Sequence, residues 1–451
     1  MPTNTKEAGL ENLIVSYLVD HHGYEQGSND NYNSDYAIDE VRLLRFLKDT
    51  QPNQLEKLGI LHSDHKKNKF FNRLQGEIAK RGVIDVLRKG INVYPASLIM
   101  FYMTPTELNY KAKEMFEKNI FSVTRQLMYS KDNTQLALDF VIFINGLPVI
   151  TCELKNRLTK QSVDDAVQQY KLDRDPRELL FQFKRCMVHF AVDDNEVKFC
   201  TKLDGKKSWF LPFNKGFNGG AGNPPNPNGL KSDYLWKDIF KKEELANIIE
   251  NYAQVIVETD EQTKKKNYKQ IFPRYHQLSV VKALLADAKA KGPGQKYLIQ
   301  HSAGSGKSNS IAWTAHQLVG LEKNGKSVFD SIIVVTDRIN LDKQIKNTIK
   351  QFMQVSSTVG HAESSEDLRK LITQGKKIII TTVHKFPYIL DEIGTSHRGN
   401  TFAILIDEAH SSQSGSMSAK MNIALSGEYE GDEEETVEDK IIKIMEGRKM
   451  L

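Results

Sequence analysis

Apolar residues recur at spacings of three and four in the first third of the chain. This pattern predicts a helix over residues 6–19, closed by "HHGY" at Gly23, and a second over Ala37–Thr50. A third runs through "FFNRLQGEIAKRGVIDVLRKG" and ends near Gly82. From about Ser122 the period changes. "LDFVIFINGLPVITCELKN" reads as strand, tight turn at Asn145-Gly146, strand, because an Asn-Gly pair between apolar runs suits a two-residue hairpin turn. "CMVHFAVDDNEVKFCTKL" repeats the idea, with its turn around Asp193-Asp194-Asn195. Phe213–Gly229, dense in Gly, Pro and Asn, reads as a long irregular loop. Glu258–Arg274 is a charged stretch, and the domain boundary is expected within it, between 1–262 and 263–451. Beyond it short apolar runs alternate with helical stretches: 296–300, 331–336, 377–382 and 402–407. Continuous apolar runs are what parallel strands buried on both faces look like, so this half predicts a doubly wound α/β domain. The acidic run Glu428–Lys440 reads as a solvated segment.

Composition narrows little. With 451 residues, 39% hydrophobic and 26% charged, the chain suits two or three globular domains. A net charge of +5 is too small to establish a nucleic-acid partner. Cys152, Cys186 and Cys200 lack metal-ligand spacing and read as reduced thiols of a cytoplasmic protein. No apolar run reaches the roughly 18–20 residues that span a bilayer. Glu7 and Glu11 precede "LIVSYLV", so the start reads as an amphipathic helix and not as a signal peptide.

The chemistry lies in two places. "LIQHSAGSGKSNS" sits between a strand and a helix. Gly304, Ser305 and Gly306 can turn backbone amides around an anion. Lys307 can reach the β- and γ-phosphates of ATP, and Ser308 can offer a hydroxyl to Mg²⁺. The strict pattern has Gly where His301 stands. About a hundred residues later "ILIDEAH" delivers Asp407, for the Mg²⁺ water shell, and Glu408, to polarise the attacking water, at a strand's C-terminal end. The second place is the hairpin. Asp139 lies on its first strand and Glu153-Leu154-Lys155 end its second. Alternation puts Glu153 and Lys155 on one face, where Asp139 can join them. Two close carboxylates call for a cation, and Mg²⁺ takes such oxygens. Lys155 can stabilise the charge that develops on a scissile phosphate.

"AGSGKS" with "DEAH" resembles the first RecA-like domain of superfamily-two helicases and translocases. That resemblance implies a base contact by Gln277 in "FPRYHQ", a DNA contact from "VVTDRINLDKQ" with its Arg338, phosphate contacts from Thr381 and Thr382 in "TTVHKF", and a motif role for His410. Asp139…Glu153-x-Lys155 resembles the nuclease core of restriction enzymes and recombination nucleases. Such cores carry a helical Gln and Tyr four apart. Here Tyr170 has Ala166 at that position, with Gln168 and Gln169 nearby, and Glu77 fits the upstream helical acid. Nuclease core and motor together, with "CELKN", "DDAVQQYKLDRDP" and "GGAGNPPNP", resemble the restriction subunit of type I restriction–modification enzymes. The fold expected is thus α/β: an α+β restriction-endonuclease-like domain followed by a RecA-like parallel-sheet domain. The activity implied is Mg²⁺-dependent cleavage of double-stranded DNA coupled to ATP-driven translocation, beside methyltransferase and specificity subunits. A stand-alone repair nuclease–helicase and a non-catalytic DNA- or partner-binding chain are the competing readings. No second RecA-like domain follows "DEAH", so the sequence is expected to be the N-terminal part of a longer subunit, unable to translocate by itself.

Overall fold

The computed structural model describes residues 7–105, 109–156, 160–259, 263–302, 304–336, 349, 359–361, 365–382 and 400–407. The chain divides into two compact units, Met1–Tyr275 and His276–Leu451.

The first unit is built on a seven-stranded sheet whose strands lie in chain order. They are β1 (Glu25–Gln26), β2 (Phe121–Met128), β3 (Ala137–Ile144), β4 (Leu147–Leu154), β5 (Val188–Val192), β6 (Val197–Cys200) and β7 (Leu211–Pro212). Most pairs are antiparallel, but β1 runs parallel to β2 and β4 parallel to β5. The β4–β5 crossover carries the helix Val163–Leu172, as a parallel connection requires. Val163, Ala166, Val167 and Tyr170 are its buried face, packed in one cluster with Val141, Phe143 and Ala191 of the sheet.

The hairpin turn is as expected. Asn145 (φ 50°) and Gly146 (φ 81°) both adopt left-handed backbone, the requirement of a type I′ turn. Gly146 has a second reason to be glycine. A Cβ there would lie 2.5 Å from the Asp39 carbonyl and 2.6 Å from Leu43.

Several sequence expectations are corrected. The first helix spans Glu7–His22, and Gly23 (φ 63°) ends it. The second starts at Glu40, not Ala37, because Ala37 is left-handed (φ 46°) and Asp39 caps the Arg42 amide at 3.0 Å. The third begins at Asp64, capped by Ser63, and Gly82 (φ 88°) divides it from a further helix, Val83–Lys89. The charged stretch 258–274 contributes to an antiparallel pair of strands, β8 (Gln254–Thr259) with β9 (Lys266–Ile271). Its outer residues are exposed, so charge is compatible with strand there.

The second unit holds a four-stranded parallel sheet: β10 (Ser331–Thr336), β11 (Val359–His361), β12 (Ile378–Thr382) and β13 (Phe402–Ile406), in the order β11-β12-β10-β13. The helix Lys307–Val319 packs against β10, β12 and β13. The run 296–300 was expected as a strand and is not one. Among the described residues β13 pairs only with β10, no strand is paired with that run, and Leu298 stays 91% exposed.

Candidate functional site

The residues of the first candidate site meet across β3 and β4. The pairing Phe140↔Cys152 places Asp139 opposite Glu153 at the next step of the register. Alternation then puts Thr151, Glu153 and Lys155 on the face that the 163–172 helix covers. Asp139 is half-buried, and its Oδ2 accepts from the Leu154 amide at 2.6 Å. The Gln126 side chain donates to its Oδ1 at 3.4 Å. Glu153 is fully buried, and Lys155 is 8% exposed.

Glu153 Oε1 accepts from Arg174 Nε at 2.6 Å, whereas its Oε2 has no hydrogen-bond partner. Burial pushes the Glu153 carboxyl up to about 8. Asp139 adds to the rise, while Arg174 and Lys155 oppose it. Arg174, itself buried, is held more firmly protonated: burial works against its charge, and Glu153 and Tyr129 outweigh that. Cys152, on the opposite face, is pushed up by burial and by both acids, which keeps it an inert thiol.

Hard carboxylate oxygens fit Mg²⁺, and a buried carboxylate oxygen without a partner is one that a cation would satisfy. Among the described residues no three His, Cys, Asp or Glu side chains gather as a cage. Asp139 and Glu153 are the carboxylates of this arrangement that could hold such a cation, with water to complete its shell.

The accessory expectations divide. Tyr170 is buried and bonds Thr151 Oγ1 at 2.8 Å, and Thr151 in turn bonds His189 Nδ1 at 2.7 Å. Burial pushes that imidazole down to about 3, so it stays neutral. Gln168 is exposed and Gln169 half-exposed on the same helix. Glu77 is taken up by Arg73 and Arg81 on its own helix, an ordinary helical ion-pair ladder. Two residues escaped the sequence reading. Glu11 is buried in the first helix and accepts from Gln126 Nε2 at 2.7 Å, the same side chain that approaches Asp139. Arg174 lies just past the 163–172 helix. Its sequence signal is a cation placed one turn after Tyr170, inside the stretch "DDAVQQYKLDRDP".

The second candidate site is the glycine loop. Gly304 (φ 72°) and Gly306 (φ 86°) are left-handed, and Lys307 opens the following helix. Loop amides and a helix N-terminus suit a phosphate chain. Ser305 is buried and its hydroxyl has no partner. Ser308 is half-buried on the first turn of that helix. His276 Nε2 donates to the Ser305 carbonyl at 3.3 Å and Gln277 Nε2 to the Gly306 carbonyl at 2.9 Å, so both side chains brace the loop. His301, at the position where the strict motif has Gly, sets its ring edge-on to His276. Burial, His276 and Lys307 together lower the pKa of His301. The parallel register brings Thr336 and Thr382 side by side at the C-terminal edge of the sheet, with Thr381 one step before. Asp407 follows β13 there, buried, its amide bonded to the Val335 carbonyl at 2.9 Å. Arg338, Glu408 and His410 lie outside the described residues.

Comparison with known proteins agrees with this division. Residues 4–208 match the family described as type I restriction enzyme R protein N terminus. The matched segment, which makes up most of the first unit, is thus similar to the N-terminal part of type I restriction R proteins. Residues 276–429 match the SWI2/SNF2 ATPase family. Over 458 aligned positions the chain is 25% identical to a Methanocaldococcus jannaschii protein named as the MjaIXP type I restriction endonuclease subunit, covering 92% of this chain and 40% of that one. It is 27% identical over 320 residues to the HindI type I restriction endonuclease subunit of Haemophilus influenzae, covering 67% of this chain and 28% of the relative. The chain thus spans well under half the length of these curated relatives.

Proposed function

We propose that this chain is the nuclease-and-motor part of a type I restriction subunit. In this reading the first unit is a restriction-endonuclease-like domain that cuts double-stranded DNA, and the second is the first RecA-like domain of an ATP-driven translocase. The carrying observation is the fully buried Glu153, set across from Asp139, with one oxygen unpartnered and Lys155 on the same face.

Asp139 and Glu153 would hold Mg²⁺, which would supply an activated water and polarise the phosphate. Asp139 is kept in place by the Leu154 amide, which fixes its strand against β4. Lys155, shielded from solvent, supports the negative charge that grows on the scissile phosphate. Leu154 and Cys152 point the other way and anchor the strand in the core. In the second unit Lys307 and the loop amides would hold the ATP phosphates, with Ser308 and Asp407 toward its Mg²⁺ and Glu408 orienting water. Partners in this reading are DNA and the modification and specificity subunits of the same system. The family match to an R protein, and not only to an ATPase, favours this over a stand-alone repair enzyme.

The test is Mg²⁺-dependent cleavage of supercoiled DNA by this chain, with and without the methyltransferase complex, beside Glu153→Ala and Lys307→Ala. Cleavage that Glu153→Ala removes supports the nuclease assignment. Cleavage that persists in Glu153→Ala places the chemistry elsewhere and overturns it.

A further inference from the structure

We infer that Arg174 is a positioning residue of the Asp139–Glu153 site: its guanidinium pins Glu153 by one oxygen and leaves Oε2 to take the cation. The inference rests on the nuclease reading above. Arg174 is buried, and three separate anchors fix it. Nε donates to Glu153 Oε1 at 2.6 Å, Nη2 to the Ala137 carbonyl at 2.8 Å, and Nη1 to the Tyr129 hydroxyl at 3.4 Å. Its plane also lies 5.5 Å from the Tyr129 ring centre. Ala137 is on the strand of Asp139, and Glu153 is on the neighbouring one. The guanidinium therefore ties together the two strands that carry the acids.

The contact is single, not forked. An arginine placed only to neutralise a buried carboxylate commonly uses two parallel N–H groups and saturates both oxygens. Here the second and third donors are spent on Ala137 and Tyr129, and Glu153 Oε2 is left buried and bare. That is the geometry of a ligand held by its outer partner, as groups behind a metal site hold the ligands. Repulsion between the guanidinium and an incoming cation works in the opposite direction. The sign of the affinity change on removing Arg174 therefore distinguishes holding the acid from guarding it.

The experiment is a Mn²⁺ titration of the whole chain without nucleotide, following the free-ion signal by electron paramagnetic resonance, with Glu153→Gln marking the site. Arg174→Ala should bind Mn²⁺ roughly tenfold more weakly, in line with loss of a partner behind a ligand. Millimolar guanidinium should restore part of the affinity, which a merely structural defect would not allow. Arg174→Lys, which keeps charge and stem but loses the fork, should fall between and carries the test if the alanine variant does not fold. Unchanged or tighter Mn²⁺ binding in both variants overturns the inference while the nuclease reading stands. A wild-type chain with no Glu153-dependent Mn²⁺ binding overturns both.

Discussion

Glu153 is the residue on which the first site turns, and its titration has a definite sign. Its carboxyl is pushed up to about 8 in the fold, mainly by burial, whereas an exposed glutamate titrates near 4.5. Between those values the native chain holds a proton that the unfolded chain has released. Stability supplied by that proton is therefore present at acid pH and is lost as pH rises from about 4.5 to about 8. Without divalent cation, wild type should lose on the order of a few kcal/mol more than Glu153→Gln between pH 5 and pH 8, read from urea midpoints. Gln keeps an acceptor for Arg174, so the comparison isolates the titrating group. Equal slopes would show that Glu153 is already ionised at low pH. The same proton must leave before a cation binds. Mn²⁺ affinity should thus rise with pH up to about 8 and then level, with proton uptake on metal removal measured in weakly buffered solution. These properties were only partly legible in the sequence. Asp139, Glu153 and Lys155 are within one hairpin, so the sequence brings them near one another, while the register shift at Ile142/Phe143 that sets Asp139 across from Glu153 has no local signal. Arg174 and Glu11 reach the same neighbourhood through crossovers and helix packing, separated from their partners by 21 and 115 positions. No local rule links residues that far apart.

At the scale of elements, the Asn145-Gly146 turn closes the hairpin that carries the two acids, and a one-residue register shift at Ile142/Phe143 then sets Asp139 across from Glu153. Gly146 is left-handed and pressed against the backbone of the Glu40–Thr50 helix, while the Asn145 side chain accepts from the Ile120 amide at 2.7 Å and donates to the Met100 carbonyl at 2.9 Å. Gly146→Ala meets both the conformational penalty and a backbone clash, and should cost about 3 kcal/mol or more. A urea or thermal melt checks this, and a loss below about 1 kcal/mol would mean that the turn relaxes freely. The elements that were legible are those with strong local chemistry: this turn, the capped helices and three of the parallel strands. The run "KYLIQ" misled because apolarity predicts burial but not a hydrogen-bonding neighbour, and Leu298 has neither here. The strand pair β8–β9 was hidden for the converse reason. Its lysines and Glu258 lie on exposed positions, and Lys269 pairs with Glu258 across the strands at 2.7 Å, so a charged stretch supports pairing and does not break it.

At the scale of the whole molecule, the two candidate sites are built within different compact units by different logic. The first uses a mixed, mostly antiparallel sheet and sets its two acids across from each other on neighbouring strands. The second uses parallel strands and gathers Thr336, Thr382 and Asp407 at their C-terminal edge, where open α/β sheets bind ligands. Each site draws its described contacts from its own unit. Substitutions should accordingly act separately. Lys307→Ala removes the charge expected on the β- and γ-phosphates and should weaken binding of a fluorescent ATP analogue at least tenfold, about 1.4 kcal/mol, while Glu153-dependent Mn²⁺ binding stays within twofold of wild type. Glu153→Gln should do the reverse. Gly306→Ala offers a second route to the first result, because the loop is left-handed there and an added Cβ would lie 2.4 Å from the Gln277 amide nitrogen. If Lys307→Ala changes Mn²⁺ binding at Glu153, or Glu153→Gln changes nucleotide binding, the sites are coupled in this chain. The Asp139–Glu153 site would then sense occupancy of the glycine loop in the other unit.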